Sequence, residues 1–218
     1  MITDKVLQQA EECNQDKITW GSYDHHYDWQ WTDRPLIVPT TLTISAAVLM
    51  RDWTIAKKLH DLGIKRVLDI GSDTGHFMAV LKYYGIEAVG IDASKECSDF
   101  INKKGQNVCY NIGIETLIKL SKLPGYDCIS CMNITQAKWE DEKLKQDLIT
   151  WIGNNSTHAL LSDITHQDTS WKRLKIIHDF NFLPIYCSKF IVRCMTYLKI
   201  DSIVAYTCIQ KLYKVKSH

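Results

Sequence analysis

A chain of 218 residues that is 45% hydrophobic and 23% charged is enough for one substantial domain with a full core. Its 26 Lys and Arg almost balance 25 Asp and Glu, leaving a formal charge of +1. No global field therefore draws it toward nucleic acid or a membrane surface. The polar, acidic start MITDKVLQQAEECNQDK lacks the basic end and apolar run of a signal peptide. No stretch approaches the ~20 apolar residues that span a bilayer, so a soluble protein is expected.

A helix is expected over 3–14, then an aromatic-rich loop, then a helix around 42–60. From there strand and helix patterns alternate. IKRVLDIG (64–71) is a β-branched strand, TGHFMAVLKYY (74–84) a helix, IEAVGIDA (86–93) a strand, and KECSDFINKKG (95–105) a helix that stops at Gly105. QNVCYNI (106–112) is strand-like and ETLIKLSKLPG (115–125) helical. YDCISCMNI (126–134) is an apolar strand of the buried type. AKWEDEKLKQDLITWIG (137–153) is the clearest amphipathic helix, with Trp139, Leu144, Leu148 and Trp151 on one face. THALLSDI (157–164) reads as a strand and SWKRLKIIHDF (170–180) as a helix. FLPIYCSKFIV (182–192) and SIVAYTCIQKL (202–212) read as a hairpin-like pair that adds an antiparallel strand at one edge. Such alternation argues for an α/β fold with a mostly parallel, doubly wound sheet. One compact unit is expected, with an N-terminal extension over 1–61 and a body over 62–218.

Eight cysteines are present, of which only Cys128 and Cys131 form a CxxC. Residues three apart on a strand face opposite sides, so the pair is a poor zinc site, and no second pair or nearby His completes one. Reduced structural thiols and a reducing, cytoplasmic compartment are expected.

VLDIGSDTGHF (67–77) carries the chemistry. A strand that ends in a glycine turn and opens a helix exposes backbone N–H groups to anionic or polar cofactor groups. The dinucleotide pattern G-x-G-x-x-G, started at Gly71, needs glycines where Asp73 and His76 stand. The segment instead resembles the first motif of the class I S-adenosylmethionine (SAM)-dependent methyltransferases, an acidic residue two before G-x-G-x-G. Asp69, Gly71 and Gly75 match, while Asp73 replaces the middle glycine. Asp92 lies 21 residues after Gly71, close to the ~20 expected for a ribose-binding acid. The resemblance covers roughly residues 62 to 211.

The resemblance implies a seven-stranded, Rossmann-like sheet with SAM as cofactor. It implies that Asp69 and the loop of Gly71, Ser72 and Gly75 meet the methionine end, and that Asp92 and Ala93 meet the ribose. The turn YNIGIET, with Ile112, Gly113 and Ile114, would face the adenine, although it lacks the Asp often found there. Asn133, in CMNIT, takes the place of a residue facing cofactor and substrate.

The acceptor side is expected in ITWGSYDHHYDWQWTDRPL (18–36), which holds three of the seven tryptophans. Tyr23, Tyr27, Trp29 and Trp31 could surround a sulfonium or stack on a flat acceptor, and His25 or His26 could act as the base. Packing of the extension onto the body is the alternative reading of these aromatics. Asp163 and His166, after the fifth strand, could line the acceptor crevice. A metal among Asp24, His25, His26 and Asp28, or at Asp163 and His166, is not favoured. The fourth strand ends in CMNITQ, without the acids that hold a catechol-orienting metal.

The leading expectation is methylation of oxygen or nitrogen on a small molecule. An RNA or protein acceptor is the second, drawing on Lys172, Arg173, Lys175, Lys211, Lys214 and Lys216. A catalytically inactive, methyltransferase-like binding module, its loop damaged at Asp73, is the third.

Overall fold

The run RVLDI forms β1 (Arg66–Ile70), buried from Val67 onward, an interior strand of a seven-stranded sheet. The computed structural model describes residues 4–13, 42–105, 107–120, 122–123, 125–132, 142–162, 174–181 and 209–215. The remaining strands are β2 (Glu87–Asp92), β3 (Val108–Asn111), β4 (Cys128–Cys131), β5 (His158–Ser162), β6 (Leu174–Asn181) and β7 (Ile209–Val215). Their order is β3-β2-β1-β4-β5-β7-β6. Strands β1 to β5 pair in parallel, and β7 runs antiparallel to both β5 and β6. This is the mostly parallel α/β sheet expected from the alternation. The antiparallel strand stands one place in from the edge, because β6 pairs along its outer side.

The described helices are α1 (Lys5–Glu12), α2 (Leu42–Asp61), α3 (His76–Tyr83), α4 (Lys95–Lys104), α5 (Ile114–Leu117) and α6 (Glu142–Asn155). Strand side chains alternate between faces, and the sheet accordingly has two cores. On one face Leu68, Ile70, Val89 and Ile91 pack with Leu7 of α1 and Leu148 and Ile152 of α6. On the other, Val67, Ala88 and Cys109 pack with Ile55 and Leu59 of α2, Met78 and Leu81 of α3, and Ile101 of α4. Cys131 belongs to the first core and Cys128 to the second, as their spacing on a strand demands. Burial pushes both thiols up, so they serve as small apolar side chains.

Helix α1 is fastened at both ends. Asp4 caps it by accepting from the amides of Val6 (3.1 Å) and Leu7 (3.4 Å), and its Oδ2 accepts from the Tyr126 hydroxyl at 3.0 Å. At the far end Glu11 Oε1 accepts from the amide of Asn111, the last residue of β3, at 2.6 Å. The helix expected at the chain start is thus built into the core, with Leu7 fully buried.

Three expectations change in the structure. The helix expected over 170–180 is replaced from residue 174 by strand β6, which pairs with β7 through seven register positions and a bulge between Ile176 and His178. The bulge breaks strict alternation, which is why apolar residues three apart imitate a helix there. The terminal antiparallel pair is therefore β6 with β7; residues 182–192 lie outside the described residues. The helix expected over 115–125 is reduced to the four residues of α5. Beyond it, α6 side chains take up the backbone: Trp151 Nε1 donates to the Leu120 carbonyl at 2.7 Å, and Asn155 Oδ1 accepts from the Leu123 amide at 2.6 Å.

Candidate functional site

Strand β1 ends in a turn pinned to β2. The amides of Gly71 (2.8 Å) and Ser72 (3.2 Å) donate to the Ile91 carbonyl, and the Gly75 amide donates to the Ser72 carbonyl at 2.8 Å. Gly71 and Gly75 have φ of 75° and 74°, a region that glycine enters without steric cost. Gly75 has a second constraint, since a Cβ there would lie 2.9 Å from Cγ1 of Ile101. Asp73 is the sole non-glycine among the described residues with positive φ, at 50°, which aspartate tolerates better than most residues. The replacement of the middle glycine therefore leaves the turn intact.

Ser72 is a keystone of this turn. Its hydroxyl donates to the Asp69 carbonyl at 2.8 Å and packs over Gly90 of β2. A Cβ at Gly90 would meet Ser72 Oγ at 2.5 Å, Met78 Sδ at 2.9 Å and Cys109 Sγ at 3.0 Å. A glycine inside a strand often marks such close approach.

The second strand delivers Asp92 to the same place. Its Oδ2 accepts from the Asp73 amide at 2.9 Å and its Oδ1 from the Ser94 amide at 2.8 Å. Asn111 fixes the neighbouring turn, with Nδ2 donating to the carbonyls of Asp92 (3.0 Å) and Ala93 (2.9 Å). The Ile112 amide also donates to the Asp92 carbonyl at 3.1 Å, so the third turn, leading through Gly113 to Ile114, is drawn against the second.

Asp69 lies beneath the loop at 4% exposure and accepts from Ser130 Oγ of β4 at 2.6 Å. Burial pushes its carboxyl up to about 7. Burial, with the neighbouring Asp92 carboxylate, lifts Asp73 to about 7, and burial lifts Asp92 to about 6. Beside them, His76 Nδ1 is 2.6 Å from Asp52 Oδ2, and Asp52 Oδ1 accepts from Arg51 Nε at 2.7 Å. Asp52 is fully buried.

The structure thus gathers Asp69, Gly71, Ser72, Gly75, Asp92 and Ala93 at the carboxyl ends of β1 and β2, with Ile114 opening α5 next to them. Asn133, the aromatic segment with Tyr23, His25, His26, Tyr27, Trp29 and Trp31, and Asp163 and His166 all lie outside the described residues. Sequence reasoning missed Gly90, Asn111, Ser130, Arg51, Asp52 and His76. Gly90 carried a local signal, a glycine amid apolar strand residues. The Asp52–His76 contact joins positions 24 apart and left none.

At the loop, two buried polar atoms, Asp73 Oδ1 and His76 Nε2, have no hydrogen-bond partner among the described residues. Native proteins leave few such atoms orphaned, and a bound ligand or water is one way of answering them. Asp73 and His76 stand at the carboxyl end of β1, beside its parallel neighbour β4, where the strand order reverses, and open α/β sheets bind ligands in the crevice at such a topological switch point.

Comparison with known proteins gives this crevice a class. Residues 9–191 match the family described as a methyltransferase domain. The chain belongs to that family, the class I SAM-dependent methyltransferases that its loop resembles. The N-methyltransferase NodS from Bradyrhizobium japonicum WM9 superposes with a TM-score of 0.56 at 11% identity, covering 78% of this chain and 97% of that one. The putative methyltransferase yhhF from Escherichia coli gives 0.55 at 15% identity, covering 87% and 96%. Magnesium protoporphyrin IX methyltransferase (ChlM) from Synechocystis PCC 6803, with bound SAM, gives 0.53 at 11% identity, covering 95% and 97%. Likeness at these identities is one of fold. The comparison with curated proteins found no match.

Proposed function

We propose that the chain transfers the methyl group of SAM to an oxygen or nitrogen of a small-molecule acceptor. The observation that carries this reading is the junction of loop and acid. Asp92 is locked by the amides of Asp73 and Ser94, and its carboxylate retains lone pairs for two vicinal ribose hydroxyls. The donor set fits the cofactor. Asp69, steadied by Ser130, offers an acceptor for the methionine ammonium, the Gly71–Gly75 backbone admits the chain, and Ile114 with Ile112 provides an apolar side for the adenine.

SAM supplies a methyl carbon on a sulfonium, which a nucleophile displaces in line. The protein's tasks are alignment, exclusion of water, and removal of a proton where the acceptor loses one. The segment 18–36 is assigned to the acceptor side. Its described flanks support this: α1 is tied through Glu11 to the last residue of β3, and His76 ties Asp52 of α2 to the loop. In this reading Tyr23, Tyr27, Trp29 and Trp31 wall the acceptor, and His25 or His26 takes the proton. Asn133, after β4, and Asp163 and His166, after β5, line the remaining side.

Placement of Lys175 and Lys214 favours a small acceptor over RNA; Lys172, Arg173 and Lys216 lie outside the described residues. Lys175 and Lys214, both exposed, are register partners on β6 and β7, and Lys214 stands opposite His158, the first residue of β5, at the far end of that strand from Ser162 and the acceptor side. The test is transfer of labelled methyl from SAM to panels of small amines, phenols and carboxylates, run beside RNA and protein. Label in a small molecule is expected. Label confined to RNA or protein would move the assignment to a macromolecular acceptor, and no transfer with no SAM binding would mark an inactive module.

A further inference from the structure

Asp73 sits at the centre of the loop, where the resembled motif has glycine. It is held at φ 50° with its amide committed to Asp92 Oδ2. The residue is half-buried and the Thr74 amide serves its carboxyl, but Oδ1 is closed off from water and has no partner among the described residues. Leaving a carboxyl oxygen in that state is costly unless a ligand answers it. The charged groups facing it are Asp92 at the end of β2, Arg51 on α2 and His76 at the start of α3. Asp69 and Asp52 complete the group. Arg51 and His76 are both engaged by Asp52, which leaves the carboxyls of Asp69, Asp73 and Asp92 to favour a ligand carrying positive charge.

We infer that Asp73 is a charge-selecting residue whose carboxylate favours the sulfonium of SAM over the neutral thioether of its product, S-adenosylhomocysteine. The inference rests on the proposed use of SAM at this loop. The two molecules share their adenosine and amino-acid parts and differ by a methyl group and the positive charge at sulfur. Hydrogen bonds to the ribose and amino-acid parts act alike on both, whereas the charge of the Asp73 carboxylate, present above its folded value of about 7, acts on the difference. Loss of the charge on transfer then weakens the hold on the product and speeds its exchange for fresh cofactor.

The test is calorimetric titration of the full chain at about pH 8, above the folded Asp73 value of about 7, with SAM and with S-adenosylhomocysteine, for wild type, Asp73→Asn and Asp73→Gly. Asparagine keeps the shape and tolerates positive φ, and glycine removes the conformational cost altogether, so both variants retain the turn. The expected result is a SAM-to-product affinity ratio lowered about fivefold or more in both variants, the scale of a single charge interaction in a partly shielded site. A ratio that stays within about twofold of wild type, or rises, in either variant overturns the inference, including the case in which both affinities fall together. Wild type that binds neither ligand overturns the cofactor proposal and this inference with it. Wild type that binds both with an Asp73-independent ratio overturns this inference alone.

Discussion

The amide of Asp73 donates to Oδ2 of Asp92 at 2.9 Å, joining the first turn of the sheet to the second across 19 positions of sequence. The acid that would meet the ribose is therefore also a structural clamp on the glycine loop. Asp92→Ala should loosen the loop as well as remove the contact. Hydrogen exchange of the Asp73 and Ser94 amides should quicken about tenfold or more in this variant, as expected when a charge-assisted bond is lost. Asp92→Asn, which keeps one acceptor oxygen, should show a smaller change. Unaltered exchange in Asp92→Ala would mean the clamp contributes nothing to the cofactor-free protein.

Gly90 and Ser72 form a second coupled pair. Gly90→Ala puts a Cβ 2.5 Å from Ser72 Oγ, which is tethered to the Asp69 carbonyl and cannot simply swing aside. Urea denaturation should show a loss of about 1–3 kcal/mol, the usual cost of overpacking. In Ser72→Ala the same glycine substitution should cost less. Additive losses in the double variant would show that the tight contact is relieved elsewhere, through the flexible end of Met78.

Buried Asp69 gives the cofactor-free protein a distinct pH dependence. Its carboxyl titrates at about 7 when folded and near 3.9 when unfolded. Between these values the folded chain holds a proton that the unfolded chain has released, so stability falls as pH rises, by up to about 1.4 kcal/mol per pH unit. This contribution is complete below about pH 4 and gone above about pH 7. Asp69→Asn, neutral throughout, should gain about 2–3 kcal/mol relative to wild type between about pH 5 and about pH 7 in denaturant titrations. A stability difference that stays flat over that range would show that Asp69 ionises at the ordinary carboxylate value.

Asp4 holds α1 to the body through its cap and the Tyr126 hydroxyl. Asp4→Ala should cost about 2 kcal/mol, combining a lost N-cap with a buried hydroxyl left without its acceptor. Tyr126→Phe removes the same bond without stranding a donor and should cost less. Equal losses from both would place the energy in the hydroxyl bond rather than in the cap.

The elements that could be read from sequence are those whose neighbours are local. VLDIGSDTGHF declared a strand, a turn and a helix, because two glycines and the apolar spacing of Phe77, Met78, Val80 and Leu81 act within a few residues. Asp92 was legible through its distance from Gly71. What escaped was decided by partners far along the chain. Lys175, Ile176 and His178 adopted a strand because β7 offers a ladder, and no window of residues 170–180 contains that information. Asn111 had the look of any strand-end polar residue until its amide was seen bridging the carbonyls of Asp92 and Ala93. Asp52, read as one charge on a helix, is fully buried against His76 and Arg51.

The central claim is that the loop and Asp92 together hold SAM, and calorimetric titration of SAM into wild type, Asp92→Ala and Asp73→Gly tests it most directly. The account predicts one site in wild type, affinity lowered at least about tenfold in Asp92→Ala, as expected when a charged hydrogen-bonding group is removed, and clear binding retained in Asp73→Gly. Wild type without measurable binding, or Asp92→Ala binding as tightly as wild type, would contradict it.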